Sequence, residues 1–144
     1  MALSTRKVVD RVSEIIEAEI DNITLITFSA IEREQIALMR NGYRIAMSTG
    51  SVTRRVQGNK PSGLMIGRDL VIAFTKENTV RDARASVELS TIADLADEYN
   101  RVIRLIDTDD TISTFCTRFN FISDGGIIES EELFVFEATF NLEL

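Results

Sequence analysis

The chain has no histidine and no tryptophan, and only one cysteine and one proline, in 144 residues. Without histidine, the commonest metal ligand and the usual general base near neutral pH are missing, which excludes most hydrolase constellations. The single cysteine, Cys116, cannot close an internal disulfide. With no histidine to act as its base it is a poor nucleophile, and its place in an alternating segment marks it as a small packed or sheet-surface residue. No apolar run approaches the roughly 18 residues that a membrane helix needs; the longest are short, such as Leu70 to Phe74. The N-terminus, Met1-Ala2-Leu3-Ser4-Thr5-Arg6-Lys7, turns amphipathic and lacks the apolar stretch of a signal peptide. The expectation is a soluble, cytosolic protein with no membrane partner, one domain over residues 1–144, burying roughly 70% of its unfolded surface without metal or disulfide.

What is present is charge, and it is segregated. Between Ile36 and Arg68 stand Arg40, Arg44, Arg54, Arg55, Lys60 and Arg68 with no acidic residue, a segment of +6 inside a remainder of −13. After Arg118 there is no basic residue, while Asp124, Glu129, Glu131, Glu132, Glu137 and Glu143 follow. The net charge of −7 argues against a general nucleic-acid binder. Opposite poles on identical molecules attract head to tail, and such a contact repeated by rotation closes into a ring or runs on as a filament.

Apolar residues at Val8/Val9, Val12, Ile15/Ile16, Ile20 and Ile23 recur at helical spacing and predict a helix from about Thr5 to Asn22, with Arg11, Glu14, Glu17 and Asp21 on its opposite face. A short apolar stretch, Ile23 to Phe28, reads as a strand. Ser29 and Glu32 have capping-box spacing for a short helix from Ala30 to about Arg40, stopped by Asn41-Gly42. From Tyr43 the pattern alternates as in a strand. Residues 49–67 hold four of the seven glycines and the only proline, Pro61, and read as a long basic loop or open hairpin before a strand from Arg68 to Thr75. A second long helix is marked by Leu89, Ile92, Leu95/Ala96, Tyr99, Val102/Ile103 and Ile106, starting near Ser86 or Ser90. Alternation resumes over Ile112 to Ile122, Asp124-Gly125-Gly126 signals a turn, and a last strand sets Phe134, Phe136, Ala138, Phe140 and Leu142 on one face. The class is α+β: a mainly antiparallel sheet of four or five strands, two long amphipathic helices packed on one face, and a long inter-strand loop.

No chemistry-bearing constellation emerges. Gly58-Asn59-Lys60-Pro61-Ser62-Gly63 lacks the Gly-Lys-Ser/Thr ending and helix start of a phosphate-binding loop. Asp107, Asp109 and Asp110 lie where a helix ends; a calcium loop counted from Asp107 would need glycine and glutamate where Ile112 and Arg118 stand. These carboxylates oppose the helix dipole and call for basic partners, Arg104 nearby or Arg54 and Arg55 of another subunit. Glu131-Glu132 point to opposite faces of a strand and cannot converge on a bond. The expectation is no enzyme, no cofactor and no metal. The basic residues Arg40, Arg44, Arg54, Arg55, Lys60 and Arg68 and the acidic Asp107, Asp109, Asp110, Glu131 and Glu132 are the candidates for contact with another subunit or a partner protein. The basic loop could clamp a phosphate backbone, line a lumen through which DNA passes, or dock on an acidic neighbour; with no aromatic residue to stack on bases, protein contact is favoured.

The order of elements and the closing strand Phe134-Val135-Phe136-Glu137-Ala138-Thr139-Phe140-Asn141-Leu142 resemble those of the tail-terminator, or tail-completion, proteins of long-tailed bacteriophages. The resemblance covers most of the chain and rests on pattern and size. It implies a virion protein assembled in the host cytoplasm: a homo-oligomeric ring, hexameric in that family, seated on the tail tube protein and offering a surface to the head connector or neck protein, with residues 49–67 reaching toward the lumen or tube. The alternative reading is a small module that binds DNA or an anionic ligand through the basic loop.

Overall fold

Helix α1 (Thr5–Glu19) starts at Ser4, whose Oγ accepts the Lys7 amide at 3.2 Å. It stops before the expected end near Asn22, because Ile20 turns extended and Asn22 takes φ 59°, a left-handed conformation that asparagine tolerates. The computed structural model describes residues 3–26, 40–48, 51–57, 60–80 and 82–144, and of 51–66 the backbone alone. The helix expected from Ala30, with its Ser29–Glu32 box, therefore lies outside the described residues. The rest are β1 (Thr24–Leu25), β2 (Asn41–Met47), β3 (Ser51–Gln57), β4 (Lys60–Glu77), α2 (Ala85–Asp107), a 3-10 turn (Ile112–Thr114), β5 (Arg118–Glu129) and β6 (Leu133–Glu143).

The class is α+β, as the sequence predicts. The sheet runs β1-β2-β4-β6-β5, with β3 pairing β4 off this path. It is mixed, since β1 joins β2 in parallel while the other pairs are antiparallel. Among the described residues both helices contribute to a single core on one sheet face. Val8, Val12, Ile15 and Ile16 of α1 and Leu95, Tyr99, Val102, Ile103 and Ile106 of α2 meet Tyr43, Leu70, Ile72, Phe74 and the alternate residues Phe134, Phe136, Ala138, Phe140 and Leu142 of β6. Each large side chain fully buried here contributes about 1.5–3 kcal/mol. Leu89 is 68% exposed, so the apolar stripe of α2 engages the sheet only after its first turns.

Three expectations are corrected. The strand predicted over Ile112 to Ile122 begins at Arg118, after the 3-10 turn that buries Ile112. Asp124-Gly125-Gly126 is not a hairpin turn but a bulge inside β5: the ladder slips between Asp124 and Ile127, Gly126 takes φ 67°, and Asp124 Oδ1 accepts the Gly126 amide at 3.0 Å. The reversal into β6 falls instead at residues 130–132, held by Asn78. Its Nδ2 donates to the Ser130 carbonyl at 2.7 Å and its amide to the Glu132 carbonyl at 2.8 Å. Finally, of the two readings of residues 49–67, a long loop or an open hairpin, the loop gives way to the hairpin. Most of these residues form β3 and the start of β4, paired from Ser51↔Gly67 to Gln57↔Lys60. β-Branched Val52, Thr53 and Val56 favour the extended backbone, and Pro61, which has no amide to donate, sits where the register shifts.

Two buried hydroxyls, Thr75 Oγ1 and Tyr99 Oη, are left over among the described residues. Tyr99 stacks on Phe74 with centroids 4.5 Å apart, yet its Oη has no hydrogen-bond partner among the described residues. Burial, with Glu98 nearby, pushes its titration far above the ordinary tyrosine range. An unpartnered buried donor costs about 1–3 kcal/mol. Tyr99→Phe should therefore leave stability unchanged or raise it, read as the midpoint of urea unfolding; a loss above about 1 kcal/mol would show the hydroxyl to be bonded.

Candidate functional site

The basic segment divides in the folded chain. Arg40 precedes β2 and approaches Glu77 of its own subunit, Nε to Oε1 3.8 Å. Arg44 is half-buried within β2, level with Ala73 and, one strand further, Glu137. Arg68 is half-buried in β4 opposite Leu142 of β6. Arg54, Arg55 and Lys60 fall on the ribbon of β3 and the first part of β4.

That ribbon leaves the sheet. β6 pairs with β4 from Gly67 onward and β2 from Leu70 onward, so residues 60–66 of β4 pair with β3 alone among the described residues. The departure point is pinned: Ser48 Oγ accepts the Asp69 amide at 2.9 Å while the Ser48 amide donates to the Asp69 carbonyl at 2.9 Å. Beyond it the β3 arm spans seven residues, roughly 23 Å of strand. A two-stranded ribbon is only marginally stable alone in water, so one of this length is suited to lying against something else.

The acidic candidates also part company. Asp109 is committed within its own subunit: Arg11 Nε and Nη2 donate to its two oxygens at 3.0 and 2.9 Å, and the Ile112 amide adds a bond of 3.0 Å to Oδ2. Its side chain is only 13% exposed, and the Arg11 guanidinium holds its carboxyl below the usual carboxylate range. Asp109 therefore clips α1 to the turn after α2 and drops out as a contact for another subunit's arginines. Arg11, read from the sequence as part of a solvated face, is the residue that reasoning missed. Asp107 is exposed, with Oδ1 accepting the outward amide of Phe121 at 3.2 Å. Asp110 is exposed beside it, and Glu131 and Glu132 are exposed in the β5–β6 reversal. At the far end of β5, the Glu88 carboxyl is raised by a hydrogen bond shared with Glu129, two acids crowded on one edge.

Between α2 and β5 lies an open cleft of about 340 Å³ lined by Asn100, Ile103, Arg104, Asp107, Phe121 and Asp124. Phe121 is 38% exposed although its ring meets Phe140 edge-on at 5.6 Å; Ile122, at a separate slip of the β5 ladder between Phe121 and Ser123, is 52% exposed. Cys116 is buried, its thiol donating to the Ile112 carbonyl at 3.4 Å and its titration raised by burial. Among the described residues no group of acidic or cysteine side chains is arranged to hold a metal, and no helix is long and apolar enough to cross a membrane.

No protein-family description matches this chain, and a search of curated proteins finds no match. The geometry alone defines an α+β domain with a protruding basic ribbon and an acidic, partly apolar flank.

Proposed function

We propose that the chain is a structural, non-enzymatic ring-forming protein of a bacteriophage tail, of the terminator type, capping the tail tube and joining it to the head connector. The observation that carries this reading is the pairing of two unlike patches on one subunit. A ribbon bearing Arg54, Arg55 and Lys60 stands off the sheet, while from Leu105 to the end the chain has nine carboxylates and one basic residue, Arg118. A ring built by repeating one heterologous contact needs two different, complementary surfaces on each copy. The ribbon lies within residues 49–67, the segment for which the resemblance implies a reach toward tube or lumen.

Assembly through opposite charges weakens with salt. Light scattering at low ionic strength should report a closed oligomer, and raising salt toward about 1 M, where the Debye length falls to ~3 Å, should dissociate it. The Arg54→Glu/Arg55→Glu double variant should stay folded by circular dichroism and lose association. A monomer at every concentration and salt rules the reading out.

A two-stranded basic ribbon also matches an element that enters the DNA major groove, which supports the second reading, a module for DNA or another polyanion. Titration with duplex DNA separates the two: tight, salt-sensitive binding by a monomer favours the module.

A further inference from the structure

The ribbon and the cleft between α2 and β5 are complementary in three respects. The ribbon strands contain Arg54, Arg55 and Lys60 with no acidic residue, and the cleft presents Asp107 and Asp124 against a single cation, Arg104. Ribbon residues Val52, Leu64 and Ile66 are apolar; the cleft lining includes Phe121, 38% exposed beside Phe140, and Ile122, the next residue of β5, is also exposed. Among the described residues the first part of β4 pairs with β3 alone, and the cleft stands open.

The two cannot meet within one subunit. Through β6, Phe121 lies level with Phe140 and Leu70, whereas Arg54 pairs with Leu64, six positions further along β4 in the direction that leaves the sheet. That separates them by roughly 20 Å along the strands, with the ribbon directed away. Resting on the assembly reading above, we infer that the β3–β4 ribbon of one copy is seated against the α2–β5 cleft of the next. Phe121 is its apolar floor, Ile122 beside it in β5 extends the contact, and Asp107 and Asp124 are the carboxylates that draw in the ribbon's basic residues. The contact is heterologous, so it propagates around a ring. It is made by side chains and not by extending the sheet, because Asp107 already occupies the Phe121 edge amide and the bulge interrupts the β5 edge.

The test is a charge swap in the full chain, read as the association constant by sedimentation. Asp107→Arg/Asp124→Arg should weaken association at least about tenfold, as should Arg54→Glu/Arg55→Glu, and both pairs combined in one chain should restore most of it. Asp107 and Asp124 each accept a backbone amide, so Ile122→Arg is the companion variant: exposed where the ladder slips between Phe121 and Ser123, it should leave the melting curve unchanged and still weaken association. Native-like association of Ile122→Arg and of the acidic-side variant, with ribbon variants impaired, removes the cleft as the seat and leaves ring formation standing. Rescue by the swap in a particle that is only a dimer upholds the contact and overturns the ring. Duplex DNA binding by a monomer, dependent on Arg54 and Arg55 and indifferent to Ile122→Arg, overturns the contact.

Discussion

Phe140→Ala should lower the free energy of unfolding by about 3–5 kcal/mol, the range for removing a buried phenylalanine from a core that cannot fully collapse. Phe140 is fully buried, stacks on Phe119 at 4.8 Å and receives the edge of Phe121 at 5.6 Å, so its loss leaves a cavity under both neighbours. The matched control is Phe121→Ala. That ring is 38% exposed, and its truncation should cost only about 1 kcal/mol. Urea unfolding followed by circular dichroism measures both. Similar losses at the two positions would mean that the sheet closes over Phe121 in solution, and the cleft would disappear with it.

Asp109→Ala is expected to cost about 2–3 kcal/mol, since it strips a half-buried Arg11 of its two-pronged partner and the Ile112 amide of its acceptor. Arg11→Met added to Asp109→Ala should recover part of that loss, because no charge is then left stranded. The effect has a pH signature. The folded carboxyl titrates below its unfolded value, so the stabilisation is complete above the ordinary carboxylate range and disappears as the pH falls through the folded one. The gap between the native chain and Asp109→Asn should therefore close on acidification, measured as the urea midpoint at several pH values. A gap that persists in acid would mean that Arg11 is not what stabilises the carboxylate.

How legible these features were in the sequence depended on whether they are periodic or long-range. The β6 stripe from Phe134 to Leu142 and the inner faces of both helices follow from spacing alone, since burial on one side of a regular element leaves a fixed period. Asp124-Gly125-Gly126 misled because the same chemistry, a carboxylate bonding ahead and a glycine at positive φ, serves a bulge as well as a turn. The glycines and Pro61 of residues 49–67 left a loop and an open hairpin both open, and pairing with a continuous β4 decides for the hairpin. Arg11 and Asp109 are 98 positions apart, and no local pattern announces such a partner. Of the candidate contacts, the segregation of charge was visible, but its division among β2, the ribbon and the sheet edge depends on register.

β4 is one unbroken strand of 18 residues, roughly 60 Å long, with its first part in the ribbon and its last part at the centre of the sheet. Any pull on the ribbon along its axis is a shearing load on the flanking strands. Antiparallel ladder bonds stand across the strands, so the bonds to β2 and β6 resist together instead of peeling one at a time. A tether anchored in this way is mechanically stiff, and its rupture force should be set by the sheet rather than by the marginal hairpin at its tip.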